Sequence, residues 1–240
     1  MSLTLERAKP YLVGLAVTTL IFATTRFAPE NIQGTVVGAA FLLATWVFVW
    51  RKSDAEVEEY GLSLGGLIFP GAIDWRRLAR DAGQALLWAF GAMLVTFIPY
   101  FFIWKLLAHP EAPFVYPFDL KGTANEVLGQ LLLVALPEEA FYRGYLQTEF
   151  ERHSRKVSIL GARIGAGVLI ASLIFALGHL SPHHGPERLL VFFPALLFGF
   201  LRVRTRGIGA GLIYHASCNL FAALLFRGFH VTSLSLPQLH

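Results

Sequence analysis

Residues 32–50, IQGTVVGAAFLLATWVFVW, contain no charged side chain and carry tryptophans at 46 and 50. A run of that length and oiliness crosses a hydrocarbon layer about 30 Å thick as a single helix, and its tryptophans fall where an interfacial belt takes them. Apolar residues elsewhere in the chain are bunched in the same way. They predict seven spans, at 10–26, 32–50, 84–104, 124–148, 163–181, 187–202 and 207–227. The sixth is short, as a tilted or re-entrant segment would be. The chain is 55% hydrophobic and 15% charged, with mean hydropathy +0.56, against about 25% charged residues in soluble domains. The expected fold class is all-α, a polytopic transmembrane helix bundle of about seven spans plus a surface amphipathic helix. Residues 1–240 read as one integral membrane domain, without repeat or low-complexity tract.

The amphipathic helix is expected at Asp74–Gly83, where a capping residue precedes Trp and Leu alternating with arginines. A solvated loop is the competing reading. The first apolar run follows MSLTLERAKP and has no clear small-residue cleavage site, so it reads as a retained helix rather than a removed leader. Loop charges alternate. Arg51, Lys52, Arg76, Arg77 and Arg80 follow the second span, Arg152, Arg155 and Lys156 the fourth, and Arg202, Arg204 and Arg206 the sixth, while the intervening loops are poor in Lys and Arg. That pattern predicts an N-terminus inside and a C-terminus outside. Basic loops without eukaryotic targeting signals point to a prokaryotic plasma membrane. The formal charge of +4 fits loops facing anionic headgroups, and no nucleic-acid-binding motif accompanies it. One cysteine, Cys218, excludes an internal disulfide framework.

Ionisable groups inside membrane spans are costly and face a cavity or a partner. Three predicted spans carry them. The fourth contains LPEEAFYRGY. Glu139 and Arg143 are four residues apart on one helical face, acid first, the better order for a pair. Glu138 is turned about 100° away, free to serve as a general base. Pro137 cannot donate to the carbonyl of Leu133 and should open the helix there. The fifth span ends in FALGHLSPHH: His179 lies within it, and taken alone fits a hydrogen-bonded helix end as well as a catalyst. His183 and His184 fall in a water-exposed loop. The seventh holds HASCN, where His215 and Asn219 share a face and can both donate hydrogen bonds to one point. The bland reading of each is structural: a charge network, an interfacial histidine, an interhelical amide. Cys218, off that face, reads as a packing residue. Together the groups form an inventory for activating water and holding an oxyanion.

EEAFYRGYLQ, FALGH and HASCN, in that order on membrane helices, resemble the motifs EExxxR, FxxxH and HxxxN of the CAAX-protease and bacteriocin-processing family of intramembrane glutamate-type proteases. The likeness covers roughly residues 120–225 and departs from the commonest pattern only at Arg206 and Gly207. It implies an intramembrane endopeptidase with catalytic helices within about 120–227, cutting near the C-terminus of a membrane-associated or lipidated protein or peptide. By the same resemblance Glu138 with His179 activates water, His215 with Asn219 stabilises the oxyanion, and Glu139 with Arg143 supports that geometry, with no cofactor and no metal. Three other readings stand beside it: a zinc-dependent membrane hydrolase, although no HExxH helix is present; a proton-coupled transporter using the same ionisable groups; and a non-catalytic scaffold binding membrane segments, which would have no need of the full set of polar motif residues.

Overall fold

The computed structural model describes residues 5–180 and 186–231; His183 and His184 lie outside them. Its elements are almost all helical. In chain order they are α1 (Leu5–Phe27), α2 (Glu30–Thr45, extended by a π-helical turn Trp46–Trp50), the short α3 (Asp54–Glu59) and α4 (Trp75–Ala108). A helical run of residues 120–152, here α5, is followed by a two-stranded antiparallel hairpin of β1 (Val157–Ile159) and β2 (Ala162–Ile164). The last three helices are α6 (Ala166–Gly178), α7 (Phe192–Thr205) and α8 (Gly209–Gly228).

Among the described residues four helices are long and apolar enough to cross a membrane: Ala8–Phe27, Asn31–Trp50, Trp75–Ala108 and Gly209–Gly228. With their lipid-suited surfaces (Leu15, Val95 and Phe102 are all exposed) they make this an integral membrane protein. The expected count of seven spans is not reproduced. The predicted span at 163–181 loses its start to the hairpin, leaving the 13 residues of α6, about 20 Å of helix against a core of about 30 Å. The predicted span at 187–202 is divided into a 3₁₀ turn, Pro186–Val191, and the 14-residue α7. The separate surface helix is also corrected. Asp74 does cap a helix, its carboxylate accepting from the backbone of Arg76 and Arg77 at 3.0 Å, but that helix runs on without a break for 34 residues into the third span. Nothing between Trp75 and Gly83 stops it, since one glycine inside a strong pattern weakens a helix without ending it.

α5 passes through the middle of the molecule, contacting α2, α6, α7 and α8. Phe141, Tyr142, Tyr145 and Leu146 are buried there among Phe41, Phe175 and Phe198. A glycine permits the close approach of α6 to α5. A methyl on Gly167 would stand 2.5 Å from the Gln147 carbonyl oxygen and 2.8 Å from the Glu151 backbone nitrogen. Backbone cannot swing aside as a side chain can, so Gly167→Ala should destabilise by about 1–3 kcal/mol or more, read as a lowered thermal unfolding midpoint in detergent.

Candidate active site

Proline at position 137 removes an amide donor from α5. The helix answers by widening: π-helical turns at Gly129–Ala135 and Ala140–Leu146 flank the α-helical Leu136–Glu139. Such turns leave carbonyls out of the regular ladder and recur at functional sites. The carbonyl of Leu133, the one Pro137 cannot serve, is approached by α2, where a methyl on Gly38 would lie 3.2 Å from its oxygen. The glutamates therefore sit on the one regular turn between two loosened ones.

That turn delivers both carboxylates to a single imidazole. His215 of α8, buried, has Nδ1 3.1 Å from Glu139 Oε1 and Nε2 3.7 Å from Glu138 Oε2. The 100° between adjacent helical residues, which separates the two acids with respect to Arg143, becomes the angle from which they reach two edges of one ring. Glu139 Oε2 lies 3.8 Å from Arg143 Nε, an ion pair too long to be a hydrogen bond; both side chains are fully buried. Arg143 donates from Nη1 to Ser172 Oγ of α6 at 3.1 Å, and its guanidinium lies 5.3 Å from the ring of Phe175 and 5.8 Å from that of Phe198. Phe198 stacks on His215 at 4.6 Å and 12°. A methyl on Gly211, one turn before His215, would meet Glu139 Oε2 at 2.8 Å, so α8 comes this close only with glycine there.

His179 caps the C-terminal end of α6. Its Nδ1 is 2.8 Å from the carbonyl oxygen of Phe175. A carbonyl only accepts, so Nδ1 carries the proton in that bond and a neutral ring presents its Nε2 lone pair. Phe175 joins the two histidines, its ring centroid 4.4 Å from that of His179 and 5.8 Å from that of His215. Among the described residues no hydrogen bond or ion pair links His179 to Glu138. Asn219, one turn beyond His215, donates from Nδ2 to Gln130 Oε1 at 2.9 Å. Cys218 packs against the core.

The structure thus brings Glu138, Glu139, Arg143 and His215 into direct contact, ties His179 to them through one phenylalanine, and holds Asn219 on the same helix face under the grip of Gln130. Gln130 and Ser172 escaped the sequence reasoning. Gln130 had a signal, a lone amide in an apolar run eight residues before Glu138; a single serine in a helix has none.

The order Glu-Glu-Arg, Phe-His, His-Asn lies on three converging helices, in a part of the chain that matches a known family. The match is to the Rce1-like family. Residues 122–221 fit its description, type II CAAX prenyl endopeptidase Rce1-like, which bears out the likeness to CAAX proteases drawn from the motifs. The Rce1-like segment runs from the first turn of α5 into α8 and contains all six residues singled out from the motifs; α1 to α4 precede it. An uncharacterized 24.3 kDa protein of Escherichia coli is 27% identical over 141 residues, 57% of this chain and 62% of that protein. The chain therefore matches less than two thirds of that relative's length. No solved structure matches.

Proposed function

We propose that the chain is an intramembrane endopeptidase that hydrolyses a peptide bond near the C-terminus of a membrane-associated or lipidated protein or peptide, in a prokaryotic plasma membrane with the N-terminus inside and the C-terminus outside. The observation that carries this reading is the seating of His215 between Glu138 and Glu139, inside the segment that matches a peptidase family.

Glu138, assisted by His179, takes a proton from a water molecule, and the hydroxide attacks the scissile carbonyl carbon. Electrons move onto the carbonyl oxygen, which accepts hydrogen bonds from His215 Nε2 and Asn219 Nδ2. The intermediate collapses with cleavage of the C–N bond, and the amine leaves with the proton that Glu138 took. No covalent enzyme intermediate forms. The second carboxylate has a definite part in this scheme. With Nδ1 donating to Glu139, His215 can donate from Nε2 only when the ring holds both protons. Glu139 holds the ring through Nδ1, and Arg143 balances the carboxylate's own charge. The two acids and two bases then sum to zero inside the bundle, the condition under which buried charges are tolerable.

Asn219→Ala tests the scheme. Losing one oxyanion donor slows turnover by about 10²–10³-fold, and the variant should remain folded, because among the described residues the side-chain hydrogen bond it loses is the single one to Gln130. Cleavage of a reconstituted C-terminal peptide library, read by mass spectrometry of new C-termini, provides the assay. Turnover near the wild-type value would remove the oxyanion role. In the same assay a strong chelator should leave the rate unchanged, since water activation by Glu138 draws on no metal; abolished cleavage, restored by zinc, would replace this mechanism with a metal-dependent one.

A further inference from the structure

At the end of the bundle remote from Asn219, a cavity of about 340 Å³ is lined by Lys9, Phe48, Lys52, Tyr60, Tyr145, Glu149, Arg152 and His153, a volume within the range that accepts small ligands, about 300–1,000 Å³. We propose that it binds the phosphate of an anionic membrane lipid. The proposal does not rest on the peptidase reading, and no residue of the site around His215 lines the cavity.

The walls come from four elements that end at one boundary: the start of α1, the end of α2, the end of α3 at Tyr60 and the end of α5. Tyr11 holds α1 in place, its ring 4.7 Å from that of Phe150. Phe48 and Tyr145 stack at 5.1 Å and 13° to form an aromatic floor. One cation stands over this floor and two over the ring of Tyr60. Lys9 Nζ lies 4.9 Å from the Phe48 centroid, Lys52 Nζ 5.7 Å and the Arg152 guanidinium 4.9 Å from that of Tyr60. The acids are already engaged. Glu149, the one carboxylate in the lining, accepts from the Tyr60 hydroxyl and pairs with Arg152 Nη1 at 3.1 Å. Lys52 pairs with Glu56 at 3.3 Å, and Arg152 also lies 3.7 Å from Glu59. Burial, then the bond to Glu149, pushes the Tyr60 phenol well above its ordinary value, so the floor adds no negative charge. Among the described residues Lys9 and His153 have no acidic partner, although both face the cavity. An ammonium seated on an aromatic ring with no carboxylate is a half-built anion site, and a phosphate bridging Lys9, Lys52 and His153 completes it.

A lipid, rather than a soluble anion, is indicated by what lies beside the opening. Leu12, three residues after Lys9, is 56% exposed, and Leu15 and Val47 are exposed too. In a membrane these side chains meet acyl chains, so one molecule with a phosphate head and an apolar tail satisfies both surfaces.

The test is purified full-length protein reconstituted in phosphatidylcholine vesicles with increasing phosphatidylglycerol. Its thermal midpoint should rise, and native mass spectrometry after gentle extraction should show retained phosphatidylglycerol. Lys9→Gln should weaken that lipid's apparent affinity by about fivefold or more, the scale of one ammonium at an anionic surface. Arg163→Gln removes one exposed charge from β2 and should leave the affinity unchanged. Equal losses in the two variants would overturn the site in favour of diffuse attraction. Should inorganic phosphate in detergent reproduce the full midpoint rise, the ligand is a soluble anion and the lipid assignment fails. If Lys9→Gln unfolds, Lys52→Gln replaces it, with the same fivefold loss expected and an unchanged affinity counting against the site.

Discussion

Glu138→Gln is expected to lower peptide cleavage by about 10²–10⁴-fold, the contribution of a positioned general base, with little change in thermal stability. The two halves of that expectation have different sources. Glutamine keeps the shape of the side chain but cannot hold water's proton. Stability is spared because Glu138 is the less committed of the two acids. Its side chain is 15% exposed where that of Glu139 is fully buried, and its Oε2 has no hydrogen-bond partner, only His215 Nε2 at 3.7 Å. Measured in purified, reconstituted protein, wild-type cleavage by Glu138→Gln would take away the base and with it the mechanism. His179→Ala separates base from helper. It should be slowed as well, but less than Glu138→Gln if the carboxylate makes the primary proton transfer.

The second large effect falls on stability. Arg143→Ala should destabilise the fold by roughly 3–5 kcal/mol, because removing one partner strands a buried charge. Glu139, itself fully buried, would then face an imidazole alone, and Ser172 Oγ and the faces of Phe175 and Phe198 would lose the guanidinium they pack against. Replacing both members of the pair, Glu139→Leu with Arg143→Met, should recover much of the lost stability, since apolar groups of similar volume often equal or better a buried ion pair. It should not recover activity, because His215 loses the carboxylate that orients its ring through Nδ1. Denaturation midpoints for the single and double variants, set beside their turnover, decide the matter. A double variant as unstable as Arg143→Ala would mean that the pair holds the helices by shape rather than charge. An active double variant would free His215 from dependence on Glu139.

Much of this was legible because membrane spans and helical spacing are written plainly in a sequence. The uncharged run ending at Trp50 is a helix for the reason that made it conspicuous, and Asp74 caps where a short acidic side chain should. The four-residue spacing of Glu139 and Arg143 became a buried pair. What escaped was whatever depends on a partner distant in the chain. Nothing local shows that Glu139 reaches past Arg143 to His215, or that Gln130 meets Asn219 eighty-nine residues later. The hairpin escaped for a different reason. Val157–Ile159 and Ala162–Ile164 are too short to show alternation, and GARIGAG reads as easily as the start of a small-residue helix. The turn itself is set by the backbone, with Leu160 and Gly161 both at positive φ. The run from Trp75 was divided in two because its arginines change the polarity of the surface, not the helix.

That hairpin also fixes how deep the chemistry lies. Val157, Ile159 and Leu160 are exposed along it, a surface suited to the boundary between headgroups and tails. A helix launched from such a place and only thirteen residues long runs out before the opposite surface. On the proposed reading its terminal histidine would sit partway across the bilayer, and a substrate polypeptide would have to be drawn down into the oily interior to meet it.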